Sequence, residues 1–179
     1  MNGAKTVERF APNRKRLHER GTDMYDELLR MAQGLLEGER HPLANAANLS
    51  ALLYQEMGDL NWAGFYFLHG GALLLGPFQG KPACLRIPVG RGVCGASVKE
   101  IRTILVPDVH AFPGHIVCDE ASRSELVCPI RTSGRIVGVI DLDSAKPDRF
   151  GPEEQRAVEA LSELYSESCD FSDGGYSFI

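Results

Sequence analysis

Cys84, Cys94, Cys118, Cys128 and Cys169 are the residues best suited to nucleophilic or redox chemistry, because a thiolate attacks electrophilic sulfur and is recovered by disulfide exchange. Five cysteines in 179 residues are too few for a disulfide scaffold, and the odd count leaves at least one unpaired. With no apolar N-terminal run resembling a secretory signal, they suggest a reducing cytoplasm and free or catalytic thiols. Cys94 follows Gly92-Val93 near the start of a predicted helix, where free amides and the helix dipole favour a thiolate. Cys84 falls on a predicted strand, and Cys118 in a long predicted loop where a thiol can be exposed. Lone cysteines are commonly inert small hydrophobes, and their setting does not choose among these three.

Glu125, Asp141 and Asp143 form a second chemical set, on two predicted strands, Leu126 to Arg131 and Arg135 to Asp143. Alternation places Val137, Val139, Asp141 and Asp143 on one face of the second strand, and Ile136, Gly138, Ile140 and Leu142 on the other. On the first strand Glu125, Val127 and Pro129 oppose Leu126, Cys128 and Ile130. A two-residue turn at Ser133-Gly134 would pair Glu125 with Leu142. A three-residue turn, Thr132-Ser133-Gly134, pairs Glu125 with Asp141 and keeps polar beside polar, so it is the expected register. If that face meets water, the three acids are solubilising residues. If it is enclosed, their repulsion calls for a cation or a shared proton, and a cationic small molecule becomes a fitting ligand.

The loop from Pro107 to Arg123 adds Asp108, His110, His115 and Asp119 to Cys118. A His-x4-His-x2-Cys spacing is not a familiar zinc pattern and no C-x-x-C occurs, so no metal is expected. Gly90-Arg91-Gly92 lacks the partners of a phosphate loop, and no G-x-S-x-G marks a serine nucleophile. His110 and His115 are read as residues that order the loop, not as bases.

These residues need a frame, and the pattern supplies an α+β one. Leu28, Leu29, Ala32, Leu35 and Leu36 recur at helical spacing after Thr22-Asp23 as caps, and a second helix runs from Pro42 to Gly58. A hairpin follows, Asn61 to Leu68 and Ala72 to Leu75 across His69-Gly70-Gly71. Short strands at Cys84 to Ile87 and Thr103 to Val106 bracket a helix from Val93 to Glu100. A final helix runs from Pro152 to Tyr165. The expected architecture is one antiparallel sheet flanked by N- and C-terminal helices, over residues 23–168, between a basic tail at 1–22 and a polar tail at 169–179. A mitochondrial presequence is the rival reading of the basic tail, weakened by Glu8 and Pro12. A net charge of -5 argues against nucleic-acid binding, and the ordinary globular composition against a membrane protein.

The ordered motifs carry a resemblance: Asn61-Trp62-Ala63-Gly64-Phe65-Tyr66, Gly76 to Cys84, Gly92-Val93-Cys94-Gly95, Val106 to His110, Gly114 to Asp119, Ser122 to Glu125 and Asp141 to Ser144. From about Tyr25 to Tyr165 the chain closely resembles the free methionine-(R)-sulfoxide reductases, stand-alone GAF-fold enzymes. That resemblance implies Cys118 as catalytic thiol, Cys84 as principal resolving thiol and Cys94 as a secondary one. It also implies a pocket with Trp62 and Tyr66, in which Glu125, Asp141 and Asp143 hold the substrate ammonium and the sulfoxide. Glu125 is then the candidate proton donor, and loop amides around Ile116, Val117 and Cys118 are candidates for the substrate carboxylate. The implied partners are free methionine sulfoxide and thioredoxin as external reductant, with no bound cofactor, and homodimers are frequent among such enzymes. Cys128, where the family usually has an aliphatic residue, is expected to fill the core, and Cys169 has no expected role. The alternative is a non-catalytic GAF module that senses a small molecule or redox state. Such a sensor is ordinarily joined to an output domain, for which 179 residues leave no room, and it has no need of three thiols and an acidic trio together.

Overall fold

The computed structural model describes residues 21–116 and 118–172, with side chains from Met24 onward. Residues 1–20 of the expected basic tail lie outside them. Helix α1 (Gly21–Leu36) already includes Thr22 and Asp23, so these lie in its first turn and not ahead of it. Its Tyr25, Leu28, Ala32 and Leu36 form one buried stripe. Helix α2 (Pro42–Glu56) opens on proline, whose fixed φ suits a first turn.

The chain then forms strands β1 (Trp62–His69), β2 (Ala72–Gly80) and β3 (Arg86–Pro88), helix α3 (Gly92–Glu100) and strand β4 (Ile104–Val106). After the loop that carries Cys118 come β5 (Ser124–Thr132), β6 (Arg135–Ser144) and α4 (Pro152–Ser168). All six strands join one antiparallel sheet in the order β3-β2-β1-β6-β5-β4. The α+β expectation describes this arrangement. β2 runs on to Gly80 and does not stop at Leu75. The Gly76-Pro77 break is absorbed by a bulge, since pairing passes from Gly64 with Phe78 to Tyr66 with Leu75.

Strand alternation divides the molecule into two cores. Phe65, Phe67, Leu126, Cys128, Ile130, Ile140 and Leu142 pack against α1, α2 and α4. Phe65 is fully buried with its ring 5.0 Å from that of Tyr165, a burial of roughly 2–3 kcal/mol at ordinary transfer energies. Cys128 fills this layer as expected, and burial pushes its thiol up to about 11. Cys169, assigned to a tail, is also buried there: Asn45 Nδ2 donates to its Sγ at 3.3 Å, and Phe171 stands edge-on to Tyr165. The opposite face, covered by α3 and the loops, holds Trp62, Tyr66, Val93, Cys94, Val127 and Val139.

The β5–β6 hairpin corrects the expected register. Its turn has two residues, Ser133 and Gly134, both at positive φ, so Thr132 pairs with Arg135. Pairing then jumps from Arg131 with Ile136 to Ile130 with Gly138, leaving Val137 as an extra residue. The bulge brings Glu125 opposite Asp143 and Val127 opposite Asp141. It also exchanges two side chains, since Ile136 packs on the α3 side and Val137 on the α1/α2/α4 side. A two-residue turn alone would have set Glu125 against a core leucine, and the extra residue restores the parity that keeps the three acids on one face.

Candidate active site

The acids are floored by three adjacent strands. β1 pairs with β6 so that Gly64 lies beside Asp141 and Trp62 beside Asp143. The Trp62 ring stacks between Phe78 and Tyr66, at centroid separations of 5.3 and 5.8 Å, and lies against Gly64. A Cβ at Gly64 would fall 2.5 Å from Phe78 Cβ and 2.6 Å from Trp62 Cη2, so glycine is needed for the stack. Indole Nε1 donates to the Lys81 carbonyl at 3.2 Å, fixing the ring.

The face is enclosed. Glu125 and Asp141 are each 6% exposed, while Asp143 is half-buried. Burial, and then the charges of Asp141 and Asp143, hold the Glu125 carboxyl well above its usual range. Asp143 is raised for the same reasons, burial first and then Asp141. Asp141 is pushed up to about 7 by burial, against the hydrogen bonds from Cys94 and Glu125. Its Oδ1 has no hydrogen-bond partner. An orphaned buried acceptor costs about 1–3 kcal/mol and invites a donor.

Cys94 departs from expectation. Its Sγ donates to Glu125 Oε1 at 3.9 Å, and burial together with Asp141 and Glu125 drives its thiol well above the ordinary range. The start of α3 does not make it a thiolate, because desolvation and two carboxyls outweigh the helix dipole. Among the described residues, the grouping with metal-ligand proximity is Cys94, Glu125 and Asp141, whose ligand atoms lie within 4.8 Å of one another. Three crowded carboxyls raised by burial and by one another, beside a thiol, suit a shared proton or the donors of an ammonium group.

Over this floor lies the loop between β4 and β5. Cys118 is bonded to Cys84, with a Cα separation of 5.6 Å inside the usual disulfide range, while Cys94, Cys128 and Cys169 are free. Asp119 anchors the loop, accepting from Lys81 Nζ at 3.2 Å, Asn61 Nδ2 at 3.2 Å and the Ala121 amide at 3.0 Å. Ile116 covers Gly92 at the start of α3 and lines the cavity. Val117 lies outside the described residues.

His115, set aside in the sequence reading, belongs to the site: its Nε2 is 3.8 Å from Glu125 Oε2. Burial and then His110 lower its pKa. Its spacing to Cys118 was legible, but the fold of the loop that turns it toward Glu125 was not. His110 is exposed. The cavity, lined by Trp62, Tyr66, Cys94, Ile116, Glu125 and Asp141 among others, measures about 30 Å³. That is room for two or three waters, at about 10–15 Å³ each, and less than an amino acid occupies.

A sheet backed by three helices on one face, with a small polar pocket under α3 and a long loop on the other, defines the class: residues 23–168 match the family model of the GAF domain. The free methionine-R-sulfoxide reductase of Escherichia coli is 50% identical over 140 residues, 78% of this chain and 85% of that protein. A structure of the Staphylococcus aureus fRMsr in reduced form superposes with a TM-score of 0.79 at 46% identity, over 80% of this chain and 94% of that one. The Neisseria meningitidis free methionine-R-sulfoxide reductase in complex with its substrate superposes with a TM-score of 0.81 at 37% identity, over 83% and 90%. The chain belongs to the GAF domain family and, within it, to the free methionine-R-sulfoxide reductases. Among the described residues, no helix is long and apolar enough to cross a membrane.

Proposed function

We propose that this chain reduces free L-methionine (R)-sulfoxide to L-methionine, with Cys118 as nucleophile and Cys84 as resolving thiol. The observation that carries the reading is the Cys84–Cys118 bond above a floor of three raised carboxyls, one with an unpartnered oxygen. In the reduced enzyme the Cys118 thiolate attacks the sulfoxide sulfur, and the oxygen can leave that sulfur only when protonated. Glu125, whose carboxyl burial and the neighbouring acids hold well above its usual range, supplies a proton. The oxygen leaves as water; a water then attacks the Cys118 sulfur of the sulfonium adduct, the S–S bond breaks, methionine departs with its sulfur reduced by two electrons, and Cys118 is left as a sulfenic acid. The Cys84 thiol attacks that sulfur, water leaves, and the disulfide forms.

Asp141 and Asp143 receive the substrate ammonium, the Asp141 oxygen gaining the donor it lacks. Trp62 and Tyr66 face the methyl thioether, and amides of the Cys118 loop around Ile116 take the carboxylate. A peptide-bound methionine sulfoxide lacks both charged ends and leaves the acids unpaired, a loss worth several powers of ten in discrimination. Cys94, protonated against Glu125, holds that acid in place and serves as a secondary thiol at most. A dithiol such as thioredoxin resets the bridge, in a reducing compartment such as the cytoplasm.

Turnover is measured with R and S epimers of free methionine sulfoxide and with the N-acetylated R epimer, using a thioredoxin-coupled assay. The expected result is reduction of the free R epimer alone, and no turnover on it would sink the reading. Cys118→Ser should release no methionine, whereas Cys84→Ser should release about one equivalent per protein and then stall.

A further inference from the structure

We infer that the exposed edge of the sheet beside Cys84, formed by Leu85, Arg86, Val89 and Arg91, is the docking surface for an acidic dithiol protein that reduces the Cys84–Cys118 bond. The inference rests on the redox reading of that bond. The segment 81–91 carries Lys81, Arg86 and Arg91 and no acidic residue, in a chain of net charge -5. Lys81 is paired with Asp119, but Arg86 and Arg91 are exposed and make no ion pair among the described residues. Leu85, adjacent to Cys84, is 73% exposed, the most exposed large apolar side chain described, and Val89 is exposed as well. β3 is an edge strand, and among the described residues no further strand covers this rim. The tight turn in which the Arg91 amide bonds the Pro88 carbonyl at 3.0 Å keeps Val89 and Arg91 close to the strand.

Apolar side chains exposed beside unpaired cations, next to a bond that must be broken by an external thiol, match a partner with an apolar collar around its thiols and acidic residues beyond. From Cys84 to Val89 an extended chain spans at most about 18 Å, well inside the footprint of a partner covering roughly 800 Å². Cys118 is exposed and Cys84 half-buried, so the bond is open to attack from outside. A partner thiolate attacks one sulfur of the bridge, the S–S bond breaks, and the other sulfur leaves as a thiolate that takes up a proton. The partner's second thiol then attacks its own sulfur in the mixed disulfide. The enzyme departs with two thiols and the partner with a disulfide, two electrons having passed between them.

The test compares thioredoxin with dithiothreitol as reductant for the wild type, an Arg86→Glu/Arg91→Glu double variant and Leu85→Ser. With thioredoxin at low ionic strength, the double variant should lose about tenfold in kcat/KM and the wild type's salt dependence with it, and Leu85→Ser about fivefold through KM. With dithiothreitol all three should agree within about twofold, since a small dithiol needs no docking face. Unchanged thioredoxin kinetics in both variants would overturn the surface, as would equal losses with both reductants or a wild type reduced by dithiothreitol but not by thioredoxin. No turnover of the wild type on the free R epimer with dithiothreitol would instead overturn the reading of the site.

Discussion

Asp141 concentrates the electrostatics of the site in one side chain. It is buried, pushed up to about 7, and has one oxygen without a donor. A carboxyl that titrates near 3.8 when unfolded and about 7 when folded binds its proton more tightly in the folded chain. Its contribution to stability is therefore fullest below the unfolded value and is lost as pH rises through the folded one. Asp141→Asn cannot ionise, so its melting temperature relative to wild type should rise between pH 4 and pH 8, by on the order of 5 °C. Calorimetry at the two pH values checks this, and a gain that shrinks with pH would mean that the folded carboxyl is already charged. The cost of keeping such a group is that of a site awaiting a cationic ligand.

At the scale of elements, the extra residue of β6 decides where the acids point. It does so by being bulged out: held in a regular ladder, Val137 would bring Leu142 opposite Glu125 and turn Asp141 and Asp143 toward the layer now filled by α1, α2 and α4, whereas deleting Val137 removes the bulge and leaves Glu125 opposite Asp143. The deletion should therefore cost about 1–2 kcal/mol, the packing of one partly buried valine, read as a modest fall in the urea midpoint, and Ile136→Val about 1 kcal/mol. The same strand shows why much of the site could be read in advance and part could not. Expecting Glu125 against Asp141, where Asp143 is found, is an error of two residues, and a shift of two leaves every side chain on its own face. The acidic trio therefore survived a wrong turn, while Ile136 and Val137, beyond the bulge, did not. Helix stripes such as Leu28, Ala32 and Leu36 were legible because their period is local. The neutral thiol of Cys94, the approach of His115 to Glu125 and the stacking of Phe78 on Trp62 depend on contacts between distant segments, which no local period records.

For the whole molecule, the bridged form is the narrow one. With Cys84 and Cys118 joined and Asp119 held by Lys81 and Asn61, the cavity beneath measures only about 30 Å³. Ligand affinity should therefore follow redox state. Methionine at 100 times its Kd should stabilise the reduced protein by about 2.7 kcal/mol and leave the oxidised protein unmoved, as read by thermal shift with and without a reductant. Equal shifts in both states would mean that the loop opens with the bond intact. A shift confined to the reduced protein would mean that substrate enters only after the disulfide has been reduced.

The rim at β3 has a further effect, on time. The strand has three residues, and Pro88 offers no N–H to a visitor, so a partner chain cannot extend the sheet there by a backbone ladder. Whatever settles on this edge is held by side chains alone. Short residence follows, which suits a surface that must release each visitor before the next catalytic cycle can begin.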